Sequence, residues 1–117
     1  MYLALWIQDE ATKRLIETLV LSLIYPLIDI TSELETANVV VSDGHTNVLP
    51  LLKEGKYVIQ YLPPDLAART PNIPREFRFR HRVFANKTKV QREPGEPASV
   101  GKLISHLVQL AQKLNIT

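Results

Sequence analysis

Two aspartates follow stretches that read as buried strands. Asp9 closes the apolar run "YLALWIQ", residues 2–8, and Asp43 closes the β-branched run in "VVVSD", residues 39–43. If both runs are strands of one parallel sheet, both carboxylates reach the same edge, because ligands and chemistry in open α/β sheets gather beyond the carboxyl ends of the strands. Asp43 is then either a working carboxylate or the residue that starts a turn or caps a helix, roles for which aspartate is equally suited. A second group is basic. Arg78, Arg80 and Arg82 alternate with Phe77, Phe79, His81 and Val83, and Lys87 and Lys89 follow. An arginine fork binds a carboxylate or a phosphate through two parallel hydrogen bonds.

Other chemistries have less behind them. The absence of cysteine removes disulfides, thiolate nucleophiles and cysteine zinc sites, and suits a reducing cytoplasm. His45, His81 and His106 lie on different segments without metal-ligand spacing, so packing or solvent-facing roles are expected of them. Ser42 lacks the flanking glycines of a nucleophile elbow. The four glycines do not cluster into a phosphate-cradling loop.

The 117 residues fit a single domain, residues 1–117, and 45% hydrophobic with 22% charged residues is the balance of a soluble globular fold with a modest core. The longest apolar stretch, residues 15–30, is interrupted by Glu17, Ser22, Pro26 and Asp29. It falls short of the roughly 20 apolar residues of a membrane span. The formal charge is only +2, but eight of the 14 lysines and arginines lie between Arg69 and Arg92, where Glu76 is the sole acid.

Periodicity supplies the elements. Residues 2–8 read as a strand buried on both faces, with Trp6 in the core. Leu15, Ile16, Leu19, Val20 and Leu23 recur at helical spacing between an Asp9 N-cap and Pro26. Residues 27–31 and 38–42 read as strands, separated by "SELETA", which has room for little more than one helical turn. A short helix with Pro50 in its first turn ends at Gly55, and "KYVIQYL" is the fourth strand. Pro63, Pro64, Pro71 and Pro74 make the next segment a loop. The Phe/Arg alternation of residues 77–86 has the period of a strand with one buried face, which sets the rings opposite the arginines. A second loop precedes a last helix over 99–114, where Val100, Leu103, Ile104, Leu107, Val108, Ala111 and Leu114 form one stripe. Alternating strands and helices predict a parallel sheet covered on both sides.

This order of elements resembles the receiver domain of two-component signalling, and the likeness spans the whole chain. The family carries acids after its first strand, an accepting aspartate after the third, a hydroxyl residue after the fourth and a lysine after the fifth. Here "WIQDE" supplies Gln8 and Asp9, "VVVSD" supplies Asp43, "VIQYLP" supplies Leu62 and "VFANK" supplies Lys87. Asp9, Asp43 and Lys87 match; Gln8 and Leu62 depart. The resemblance implies an α/β, receiver-like (flavodoxin-like), doubly wound sheet of five parallel strands with shortened or missing central helices. Gln8 in place of an acid weakens a Mg²⁺ site, since that ion favours several oxygen ligands. Leu62 cannot bond a phosphoryl group.

The shortened helices also resemble the degenerate α/β/loop domain of hybrid sensor histidine kinases, from which this chain would be an excised piece. That likeness implies a cytoplasmic protein-interaction domain without catalysis or cofactor, binding another protein or a neighbouring domain of a signalling chain through Arg78, Arg80, Arg82, Lys87 and Lys89. Two alternatives stand beside it. One is a phosphoacceptor receiver that uses Asp43 and Lys87, with Asp9 and Asp43 holding Mg²⁺. The other is a nucleic-acid-binding module on the arginine strand, which the modest net charge does not favour. The arginines have a plainer reading too, as charges that guard an edge strand from pairing with other chains.

Overall fold

The computed structural model describes residues 1–43, 47–69, 73–87 and 99–114. Five strands, β1 (Tyr2–Trp6), β2 (Asp29–Ile30), β3 (Val39–Ser42), β4 (Tyr57–Leu62) and β5 (His81–Ala85), form one sheet in the order β2-β1-β3-β4-β5. Every pairing is parallel, which is the flavodoxin-like arrangement. Val39–Ser42 is buried at all four positions because β3 lies at the centre with strands on both sides and cover on both faces.

Alternate residues divide between two cores. Leu3, Leu5, Val39, Val41, Ile59 and Tyr61 face the two long helices, α1 (Glu10–Leu23) and α4 (Ser99–Leu114). From α1, Ile16 and Val20 fill this side; from α4, Leu103, Leu107, Leu110 and Ala111 do so. The opposite face carries Ala4, Val40 and Val58, and its cover is thinner: Leu51 and Leu52 of the five-residue helix α2 (Leu49–Lys53), with Val48, Ala37 and Ile73. Pro50 sits in the first turn of α2, where its missing N–H costs nothing. The helix stops in a Schellman turn: Gly55, at φ 90°, donates to Leu52 O, and Lys56 donates to Leu51 O. No helix among the described residues is long and apolar enough to cross a membrane.

Residues 31–38, between β2 and β3, form turns and no helix. They are held by Lys56, a buried lysine whose Nζ donates to Ala37 O at 2.8 Å and to Glu35 O at 3.4 Å. The missing helix corrects the placement of Trp6 in the core. Tyr2 and Trp6 share the Ala4 face by alternation, and with no helix over this end of the sheet among the described residues they are 46% and 37% exposed.

The fifth strand is corrected as well. Residues 75–80 are not extended but form a 3-10 helix, η1 (Arg75–Arg80), and β5 begins only at His81. Pro74 sets up the turn and Phe77 N–H donates to Pro74 O. Arg78 Nε donates to Ile73 O at 3.1 Å, and an Arg80 terminal nitrogen donates to Leu52 O at 2.6 Å. Three residues per turn bring Phe77 and Arg80 into line, so the rings and arginines are not segregated. The Arg80 guanidinium lies 5.7 Å from the Phe77 centroid and 4.9 Å from that of Phe79, and Arg82 lies 5.4 Å from Phe84. The proline-rich segment before η1 also holds a single helical turn, α3 (Pro64–Ala67), where the prolines led us to expect only loop.

Candidate functional site

The topology brings the carboxylates to one end of the sheet. β1 and β3 are paired through Trp6 and Ser42, and the chain continues from each toward Asp9 and Asp43. Asp43 N–H donates to Trp6 O at 3.3 Å, while Asp43 Oδ2 accepts the backbone N–H of Gln8 at 2.6 Å. Asp9 occupies the N-cap position of α1 with extended backbone, but its side chain turns to a hydroxyl: Thr12 Oγ1 donates to Asp9 Oδ2 at 2.7 Å. Leu62, 4% exposed, ends β4 and brings no hydroxyl to this place. Lys87 follows the end of β5 at the same edge, since Leu62 pairs with Ala85 and Asn86 N–H donates to Leu62 O. Among the described residues, no group of three His, Asp or Glu side chains is placed to hold a metal ion. His45 and Lys89 lie outside the described residues.

The basic group divides. Arg78, Arg80 and Arg82 gather where η1 enters β5, at the amino end of the strands, whereas Lys87 stands beyond their carboxyl end. At about 3.3 Å per residue, the five residues from Arg82 to Lys87 are a separation of roughly 17 Å along the strand direction. Only Arg82 of the three arginines lies on the edge strand, so edge protection falls to it alone.

The arginines border a cavity of about 340 Å³ between η1, the first residues of β4 and β5, and α4. Tyr57, Val58, Ile59 and Leu110 supply its apolar wall; His106, Gln109 and Lys113 enter from α4. His106 packs its ring against Phe84 at 5.5 Å between centroids. Burial, and then the neighbouring Arg82 charge, hold the His106 pKa below its ordinary value. Burial lowers that of His81 too, and His81 Nε2 lies 2.7 Å from Gln60 Oε1, which makes it the donor to that amide oxygen.

Gln60 and His81 are a pair that residue spacing does not disclose. The signal was a lone glutamine inside the apolar run "YVIQYL", which when buried requires a polar partner. Lys113 and His106 carry no signal of their own, because their relation to the arginines depends on how α4 lies along β5. A scan of protein-family models, of curated proteins and of solved structures finds no match to this chain.

Proposed function

We propose that this chain is a receiver-like interaction domain of two-component signalling that docks another protein or a neighbouring domain and does not itself carry a phosphoryl group. A hybrid sensor histidine kinase is the parent that suits it best. The observation that carries the docking half is the basic corner at η1 and β5: Arg78, Arg80 and Arg82 form no ion pair with a carboxylate among the described residues. Arginines at a sheet edge that meet no carboxylate among the described residues suit an acidic partner, whose approach they steer and whose carboxylates they can grip.

At the other end, Gln8 replaces an acid, Leu62 replaces a hydroxyl, and one Asp43 oxygen already takes a backbone N–H. Such a site lacks the charge-neutralising ligands that phosphoryl transfer to a carboxylate relies on. The second reading, a phosphoacceptor using Asp43 with Asp9 and Lys87, draws its support from the convergence of those three residues on one edge. Nucleic acid is less favoured, since arginines already cover the faces of Phe77, Phe79 and Phe84 on which bases would stack.

Incubation with a small phosphodonor and Mg²⁺, followed by intact mass measurement, is expected to show no stable adduct. An adduct lost in Asp43→Asn would establish the second reading instead. Docking is read by titration with the dimerisation and catalytic core of a hybrid sensor kinase from the same genome, with R78Q/R82Q in parallel. Binding that weakens and loses its salt dependence in the variant is expected, and unchanged affinity would overturn it.

A further inference from the structure

The cavity beside η1 has a composition that docking does not account for. Arg78, Arg80, Arg82 and Lys113 all line it, from three different elements, and among the described residues no carboxylate does. Like charges set round one space repel one another; the pKa of His106 is lowered first by burial and then by the nearby Arg82 charge. Among the described residues the buried Arg80 Nε–H has no partner. Among the described residues Arg78 is anchored through its Nε, to Ile73 O, and its two terminal nitrogens meet no acceptor there. A volume of about 340 Å³ falls in the range of small-molecule sites.

We propose that this cavity binds a phosphate group carried on a small organic molecule, with Arg78, Arg82 and Lys113 holding the phosphate and Tyr57 and Leu110 facing the organic part. A carboxylate presents its oxygens in one plane and is satisfied by a single arginine fork. Cations arriving from η1, β5 and α4 instead suit a tetrahedral anion with acceptors in three dimensions. The apolar wall asks for more than a bare ion. The proposal does not rest on the docking reading, because a small ligand fills a cavity while a partner covers a surface.

Phenyl phosphate is the probe, compared with benzoate and inorganic phosphate by two-dimensional NMR of the labelled chain. Saturable shifts are expected at Arg78, His106, Gln109 and Lys113, with affinity for phenyl phosphate about tenfold above that for inorganic phosphate, a factor worth about 1.4 kcal/mol. Benzoate is expected to leave these signals in place. R82Q and K113A, both exposed positions, are expected to weaken phenyl phosphate binding about tenfold each without moving the urea midpoint. Unsaturable shifts, equal affinity for inorganic phosphate, or full binding by K113A and R82Q would overturn the proposal. So would a phosphoserine peptide that binds while phenyl phosphate does not, which would make the corner a protein-docking surface alone.

Discussion

The backbone amide of Gln8 and the Oδ2 of Asp43 are joined at 2.6 Å, tying the chain that leaves β1 to the end of β3. With Asp43 N–H returned to Trp6 O, the link runs in both directions between neighbouring strands. Asp43 thus has structural work whatever chemistry it does.

Removing the acceptor is the first test. Asp43→Ala leaves the exposed Gln8 amide to water and is expected to cost about 0.5 to 1.5 kcal/mol, while Asp43→Asn keeps a side-chain oxygen that can accept the same bond and is expected to retain most of the stability. Urea denaturation of the two variants decides it. Equal midpoints for wild type and Asp43→Ala would mean that the link carries no energy.

Lys56 is the second. Lys56→Met keeps the aliphatic stem but deprives the carbonyls of Glu35 and Ala37 of their donor, at an expected cost of about 1.5 to 3 kcal/mol. Hydrogen exchange should quicken at Ala37 and Asn38 before it does in α4. Protection that stays as in wild type would show that residues 31–38 are held by something else.

The third compares two leucines. Leu107 is fully buried against the sheet, whereas Leu23 is 69% exposed at the end of α1. Leu107→Ala should lose about 2 to 5 kcal/mol. Leu23→Ala should stay within about 0.5 kcal/mol of wild type. Similar losses for the two would contradict the packing of α4.

Acidification is the fourth. The pKa values of His81 and His106 are both lowered from 6.5 in the folded chain, so below that pH the unfolded chain binds more protons than the folded one. Their contribution is fully present above pH 6.5 and is lost as the pH falls through the lowered folded values. The urea midpoint should therefore drop on going from neutral pH to below 6, with a smaller drop in H81Q/H106Q. A midpoint that rises on acidification, or a drop of equal size in the double variant, would count against both assignments.

Much of this architecture is legible in the chain. Continuous apolar runs such as Tyr57–Leu62 are what strands buried on two faces require, and the alternation of such runs with helical stripes leads to a parallel sheet and to Asp9 and Asp43 at one edge. What escaped depends on contacts between distant residues. The alternation of Phe77, Arg78, Phe79 and Arg80 fits an extended segment, but the structure has a 3-10 turn there, closed locally on Ile73 and Pro74 and tied by Arg80 to Leu52, 28 residues away. Trp6 misleads for a related reason: an apolar run shows that a strand is suited to burial, but whether its ends are covered depends on a helix elsewhere, and residues 31–38 form none. The cavity is harder still, since it joins η1, β5 and α4 across a segment whose spacing carries no register.

The uncovered end of β1 gives the molecule a built-in optical reporter. Trp6 is the single tryptophan, partly open to water, and its carbonyl receives the Asp43 amide. Because the Trp6 backbone is joined to Asp43, its partly exposed indole is expected to respond to an altered Asp43 by a change in emission colour or quenching. A ligand in the arginine cavity, at the far end of the strands, would leave that signal unchanged, so two sites on one small chain can be followed separately, one by fluorescence and the other by nuclear resonance.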